Sequence, residues 1–406
     1  MSKIPKLRFK EFSGEWDGIK LKTISNKIGS GSTPRGGEKV YKKFGIPFIR
    51  SQNVNNNQLI FDNTTYIDEE IHSNMNNSCV IANDILLNIT GASIGRSCVV
   101  PKDFKEGNVN QHVCIIRLKD DYEPTFLQPF LASHNGKKLV FQGQTGSGRE
   151  GINFQSIGAF KLNIPSKQEQ EKIASFLTSI DTKIEQLTKK DELLQQYKKG
   201  VMQKIFNQEI RFQADDGSEF CDWEEKKLGC IFDITSGQSK SKYIDTDGNK
   251  IIVDMGGISS EAKLIAKKYT FYNDNYLTTN DLVMPKDDIG GGLIIGKVVA
   301  IPENNKFICG DHIYKLTIKI GNIIFLQYVI NSYYINKSFR QKANGTAQIG
   351  LNKKEVEKQI VPFPCIEEQI KIANFLSSID TKIEQTQKQL EQTKEFKKAL
   401  LQQMFV

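Results

Sequence analysis

The stretch Pro165-Ser-Lys-Gln-Glu-Gln-Glu-Lys-Ile-Ala-Ser-Phe-Leu-Thr-Ser-Ile-Asp-Thr-Lys-Ile-Glu-Gln186 returns as Pro364-Cys-Ile-Glu-Glu-Gln-Ile-Lys-Ile-Ala-Asn-Phe-Leu-Ser-Ser-Ile-Asp-Thr-Lys-Ile-Glu-Gln385. The offset is a constant 199 residues, and the match continues more weakly to Phe206 and Phe405. Each copy reads as a helix. A proline stands just ahead, where a missing N–H does no harm, and only Gly200 interrupts the first copy. Apolar residues step by three and four: Ile173, Leu177, Ile180, Ile184, Leu187, Leu194, Val201 and Ile205. The second copy steps through Ile372, Leu376, Ile379, Ile383, Leu390, Leu400 and Met404. That is a heptad seam with polar breaks at Asp191 and Lys198, and at Thr386 and Thr393. So narrow a seam predicts one partner helix, the other copy; the alternative is that each helix packs only on its own neighbouring domain.

The duplication reaches beyond the helices. Leu7-Arg8-Phe9, Trp16 and Leu21 recur as Ile210-Arg211-Phe212, Trp223 and Leu228, so the only two tryptophans are equivalent. Val100-Pro101, Gln111-His112-Val113 and Ile116 recur as Ile301-Pro302, Asp311-His312-Ile313 and Leu316. Between these anchors the halves differ. The expected organisation is 1–164 globular, 165–206 helical, 207–363 globular and 364–406 helical. The globular parts carry short strand-length apolar runs: Pro47–Ile49, Asp84–Ile89, Ser97–Val100 and His112–Leu118, then Ile251–Val253, Leu293–Ile295, Lys297–Ile301 and Ile313–Ile318. Gly, Asn, Asp and Ser clusters separate them. One helix per half is expected, near Pro124–Lys138 and Ile323–Lys342. The fold class is α+β: two strand-rich domains joined and separated by two long antiparallel coiled-coil helices.

Composition narrows the class. The 406 residues are 38% hydrophobic and 25% charged, with 55 Lys+Arg against 47 Asp+Glu and a formal charge of +8. That surplus permits a nucleic-acid partner, since phosphates are neutralised by Lys and Arg. Cys79, Cys98, Cys114, Cys221, Cys230, Cys309 and Cys365 are scattered and never form C-x-x-C. They read as reduced core thiols in a cytoplasmic protein. Lys3–Lys10 has no apolar core and is not a signal peptide. The longest apolar run, around Ile323 to Ile330, is broken by Gln327 and far from the ~20 residues of a membrane span.

Several loops are rich in groups that hydrogen-bond to DNA. They are Gly29–Gly37, Arg50–Asn53, Asn88–Arg96, Asn110–His112 and Gln142–Arg149. Arg can read guanine with two donors, and Asn or Gln can read adenine with a donor and an acceptor. Backbone N–H groups of Gly/Ser loops suit phosphates. Candidate DNA contacts in the first half are Ser32, Thr33, Arg35, Arg50, Gln52, Asn53, Asn88, Thr90, Ser93, Arg96, Asn110, Gln111, His112, Gln144, Ser147 and Arg149. In the second half they are Gln238, Lys240, Lys242, Lys286, Lys297, His312, Lys342, Asn344, Thr346 and Gln348.

Enzymatic motifs fail on inspection. Gly291-Gly-Leu-Ile-Ile-Gly-Lys297 has phosphate-loop spacing, but Val298 follows where Ser or Thr should stand, and a strand pattern comes next. Asp281 to Asp288 with Lys286 resembles an acidic cluster without a counterpart in the first half. An adenine methyltransferase needs a Pro-Pro motif, and the chain has none.

The arrangement resembles the specificity subunits of Type I restriction–modification systems, in which two target-recognition domains alternate with two helical regions. Ile46-Pro-Phe-Ile-Arg-Ser-Gln-Asn-Val54 and Asp84-Ile-Leu-Leu-Asn-Ile-Thr-Gly-Ala-Ser-Ile-Gly-Arg96 look like the recognition signature. The helices opening on Glu169-Gln170 and Glu368-Gln369 look like the conserved regions. Asp287-Asp288-Ile-Gly-Gly-Gly292 departs from the signature, standing where the first half has Asn88-Ile-Thr-Gly91. The resemblance implies a non-catalytic subunit bound to double-stranded DNA, two methyltransferase subunits and two restriction/translocase subunits. S-adenosylmethionine, ATP and Mg2+ would belong to those partners, and the methyltransferase would flip an adenine out of the stack. Helices of roughly 40 residues at ~1.5 Å each span about 60 Å. If antiparallel, they would hold two readers at a fixed spacing. The competing readings are an enzyme with unrecognised motifs and a coiled-coil scaffold unrelated to DNA.

Overall fold

The computed structural model describes residues 3–144, 151–345 and 348–405. They form two compact units, Met1–Thr188 with Gln387–Val406, and Lys189–Thr386. Two long helices, α1 (Lys167–Phe206) and α2 (Ile366–Met404), are continuous. Each unit takes the start of one and the end of the other.

In the first unit, strands Ser25–Ser30, Val113–Leu118, Ile85–Asn88 and Ser97–Val99 pair in that order, all antiparallel. A second sheet runs Thr65–Ile67, Ile46–Ile49, Gly107–Val109, Cys79–Val80, with its middle pair parallel. Ile85–Asn88 is buried at every position, as a central strand covered on both faces must be. Successive side chains point to opposite faces. Ile85, Leu87, Cys114 and Ile116 therefore join a core with Trp16, Phe126 and the start of α1. Leu86, Val113 and Ile115 join the core under the second sheet.

The second unit repeats this order strand for strand: Phe232–Ser236, Ile313–Ile318, Asp281–Pro285, Val299–Ala300, then Lys268–Thr270, Lys250–Val253, Phe307–Cys309, Tyr276–Leu277. Leu282, Met284 and Leu316 face the helical core, and Val283 and Ile313 the other. Asp17–Lys20 clasps Lys161–Ile164 in the first unit, and Glu224–Lys227 clasps Ile360–Phe363 in the second. Each clasp brings the chain back to the start of its long helix.

Two local expectations need correction. The single helix expected in each half is two: Pro124–Ala132 and His134–Gln142, then Ile323–Ile330 and Tyr333–Lys342. Ser133 breaks the first pair. Its backbone is extended, and its hydroxyl accepts from Gly136 N–H, a side-chain cap that competes with continuing the helix. The apolar triplet Leu293–Ile295 is not a strand. Gly291, Gly292 and Gly296 have φ near +82°, +81° and +70°, which carries the chain out of the extended region.

Within each unit the seam packs on the other helix as well as on the domain, so packing on the domain alone is excluded. Ile173, Leu177 and Ile180 share a core with the first domain and with Leu400, Met404 and Phe405. Ile184 packs against it and Leu187 is buried. Ile372, Leu376, Ile379 and Ile383 share a core with the second domain and with Val201 and Ile205, and Leu194 packs on it. Leu390 is half-buried. The start of each helix thus lies on its domain and against the end of the other helix. Lys397 pairs with Asp181 in the first unit. The equivalent Lys198–Asp380 pair, at 2.5 Å, lies in the second. The polar break at Lys198 is therefore an ion pair across the seam. Thr386 is buried, and its hydroxyl donates to Lys382 O.

Candidate nucleic-acid interface

The Glu-Gln dipeptide opening each long helix anchors the domain that carries the loops. Glu169 is buried and takes two 2.7 Å bonds from the Arg8 guanidinium and one from Trp16 Nε1. Glu368 takes bonds of 3.1 and 2.8 Å from Arg211 and one of 2.9 Å from Trp223 Nε1. The carboxylate bond holds each arginine above its ordinary pKa. Gln170 and Gln369 accept from Glu123 N–H and Asn322 N–H, the caps of the short helices. Leu7 N–H donates to Gln403 O in one unit and Ile210 N–H to Lys204 O in the other. Sequence comparison found these positions as repeats, but their pairing across some 160 residues is a tertiary fact.

In the first unit the polar loops come together at one end of the sheets. Gly31 N–H donates to Asn110 O, and Thr33 Oγ1 to Gln111 Oε1 at 2.7 Å. Gln111 Nε2 lies 3.1 Å from His112 Nε2, and Thr90 Oγ1 lies 2.7 Å from His112 Nδ1. Thr33, Gln111, His112 and Thr90 thus form one chain of polar groups joining three loops. Arg96 Nη1 donates to Asn55 Oδ1, bringing in the loop that follows Arg50. Gln144 bridges Ile152, and Ile152 N–H donates to Ile89 O. Ser32, Thr33, Arg35, Gln52, Arg96 and Gln111 are exposed, and Thr90, Ser93, His112 and Gln144 half-buried.

Several candidates turn out to build the loops. Asn53 is buried, donates to Ile60 O and Thr64 Oγ1, and accepts from Arg50 N–H. Asn88 is buried and ties Ser51 O to Ser93 Oγ. Asn110 is buried and accepts from His112 N–H. Arg50 is half-buried, donating to Thr65 Oγ1. An amide that closes a turn and one that reads a base are the same residue in sequence. Ser147, Arg149 and Thr346 lie outside the described residues.

The second unit builds the same place from other groups. His312 Nδ1 lies 2.7 Å from Asp287 Oδ2, in register with the Thr90–His112 contact. Ile89 and Lys286 each donate N–H to the histidine's carbonyl. Asn88 pairs with Val113, and Pro285 with Ile313, so Pro285 stands where Asn88 does and Asp287 where Thr90 does. Asp288 is buried and accepts from Gly290 and Ile294 N–H, which assigns the acidic cluster a loop-closing role. Asp281 is buried and bound by Thr317 and Lys315. Among the described residues no group of His, Cys, Asp and Glu could hold a metal ion. Gln238, Lys242, Asn344 and Gln348 are exposed, and Lys286 and His312 half-buried. Lys240 is buried, 4.9 Å from the Tyr272 ring centre. Lys342 donates to Gln359 Oε1. Lys297 is held below the ordinary lysine range by burial and by Arg340. These three are turned to the domain.

A missed signal is the glycine heading each first loop. A Cβ on Gly31 would lie 1.7 Å from Val109 O, and one on Gly237 1.7 Å from Gly310 O. Only glycine allows the strand ends to approach there.

One frame used twice, with different side chains at its loop tips, is the construction of a recognition protein. The family model described as "Type I restriction modification DNA specificity domain" matches residues 13–195 and 221–395, and the chain belongs to that family. A protein of Methanocaldococcus jannaschii, provisionally named the type I restriction enzyme MjaX specificity subunit, is 25% identical over 96% of this chain and 93% of its own. The MjaVIII specificity subunit of the same organism is 28% identical over 65% of this chain and 66% of its own. The fold is that of the solved S subunit of a Type-I restriction-modification system from M. genitalium, with a TM-score of 0.64 at 15% identity over 99% of both chains. Among the described residues no helix is long and apolar enough to cross a membrane.

Proposed function

We propose that this specificity subunit reads a bipartite, asymmetric DNA site with a fixed spacer, and that it does no chemistry itself. Partner subunits, two methyltransferases and two restriction/translocase chains, would methylate adenine or restrict. S-adenosylmethionine, ATP and Mg2+ would be theirs, and the assembly would work in the cytoplasm. The observation that carries the reading is the contrast at equivalent places: Thr90 and Gln111 in one unit, Asp287 and Asp311 in the other, on one frame. A carboxylate accepts from cytosine N4, whereas Thr and Gln can both donate and accept. Two unlike readers imply two unlike half-sites.

Methylome sequencing of cells carrying the chain with its partners tests this directly. A split motif is expected, and a palindromic or unsplit one overturns the reading. Shortening α1 and α2 by one heptad each removes about 10 Å, or about 3 base pairs of spacer. The half-sites should stay as they were. Altered half-site bases would count against the helices as the ruler.

Arg96→Ala removes an exposed cation from the first reader alone. Binding should weaken and its salt slope fall by about one. Binding measured across a salt series, with duplexes altered in one half-site at a time, checks this. Equal loss for both halves would refute separate readers.

A further inference from the structure

Strand Ser25–Ser30 stands at the edge of its sheet, with Val113–Leu118 on one side and, among the described residues, no strand on the other. A cleft of about 520 Å³ runs along it, lined by four successive residues of the strand, Ser25 to Ile28. Successive side chains point to opposite faces, so a cavity touched by four in a row lies against the edge itself. There, unpaired backbone N–H and C=O groups stand in a row. Lys20, Lys22, Phe154 and Gln155 complete the walls.

The charged groups of this cleft lack partners. Lys20 and Lys22 are exposed, and among the described residues neither ammonium makes a hydrogen bond or an ion pair. Phe154 is 40% exposed beside them. The second unit treats the same place differently. Gly229 stands where Lys22 does, and Asp233 where Asn26 does. Lys319 Nζ donates to Gly229 O at 2.9 Å and lies 3.4 Å from Asp233 Oδ1. On the short helix Lys353–Lys358, which follows that domain as Phe154–Gly158 follows the first, Lys353 pairs with Glu357. Its charges are spent on one another. Edge strands are often guarded by lysines on the strand. Guarding does not account for Lys20 and Lys22, which lie off the strand, nor for an apolar ring left beside an open edge.

We propose that this edge binds an extended acidic segment of a partner protein, which adds to Ser25–Ser30 as a further strand. The segment's backbone pairs with the open edge, its carboxylates lie against Lys20 and Lys22, and an apolar side chain covers Phe154. Backbone pairing supplies affinity, and the flanking side chains supply selection. A strand edge offers donors and acceptors in alternation. A peptide backbone matches both, whereas a phosphate chain presents acceptors and would leave the edge carbonyls unmatched. The arrangement occurs in the first unit and not at the equivalent place in the second, so each chain takes one such segment, whatever bases it reads.

The test uses the full chain as purified, with any copurifying subunits. The probe is a fluorescein-labelled peptide of alternating Glu and Val, followed by anisotropy. Saturable one-to-one binding is expected, and hydrogen exchange of the Ser25–Ser30 amides should slow by about tenfold in the complex. Methylating alternate peptide nitrogens removes the backbone bonds and keeps the side chains. Lys20→Glu with Lys22→Glu reverses the charge at exposed positions and should leave duplex binding as in the wild type. Each change should weaken peptide binding by about tenfold or more. Absence of saturable binding would overturn the proposal. Equal affinity for the methylated peptide would do so too, since charge alone would then hold it. Displacement of the peptide by duplex DNA, or loss of duplex binding in the double variant, would assign the cleft to nucleic acid and overturn it as well.

Discussion

Replacing Glu368 by alanine should destabilise the second unit by about 2–4 kcal/mol. The carboxylate is buried and takes three hydrogen bonds, two from Arg211 and one from Trp223. Its loss leaves the Trp223 indole N–H without its acceptor and the Arg211 guanidinium without its carboxylate, though still donating to Phe220 O and Cys221 O. The guanidinium side chain is 26% exposed and recovers some water, so the cost falls below that of a fully buried orphan charge. Glu169→Ala should do the same in the first unit, where Trp16 Nε1 would lose its acceptor and Arg8 its carboxylate, keeping its bonds to Ser13 O and Gly14 O. Each unit carries one of the two tryptophans, so single-tryptophan variants report the units separately in a urea titration. Glu368→Ala should move the Trp223 transition and leave the Trp16 transition in place. Equal movement of both would show that the anchor does not act locally. Glu368→Gln keeps an acceptor and should cost less.

Gly31→Ala should cost about 3 kcal/mol, at the upper end of overpacking. The added carbon would meet Val109 O at 1.7 Å and Ser78 Cβ at 2.6 Å. A backbone oxygen cannot swing away as a long side chain can, so the strand end itself must move. That strand end leads into the loop carrying Thr33 and Arg35, and Gly31 N–H holds it to Asn110 O. Thermal unfolding measures the stability loss. Methylation mapping should show the first half-site relaxed and the second retained. Gly237→Ala should give the mirror result. Full stability in either variant would mean that the close approach is not obligatory.

Much of the architecture was legible because it is written twice. A 199-residue offset and a heptad seam are one-dimensional patterns, and they located the long helices to within two residues of their starts. The central strands were legible because burial on both faces demands an unbroken apolar run. The candidate interface was legible only as loops. Asn53, Asn88 and Asn110 are candidate DNA contacts by type, and in the fold their amides tie the loops together. Lys240 and Lys342 are candidate DNA contacts by type, and in the fold they are turned to the domain.

What the sequence by itself determined is the duplication, the mixed strand-and-helix class, the seam and the family. These depend on periodicity and on repeated identity, which need no coordinates. The tertiary structure alone decided which polar side chains are spent on the frame. Arg8 reaches Glu169, and Arg211 reaches Glu368, across more than 150 residues. Thr33 meets Gln111, and Asp287 takes Thr90's place beside a histidine. A hydrogen bond depends on distance and direction between atoms, and chain folding sets both.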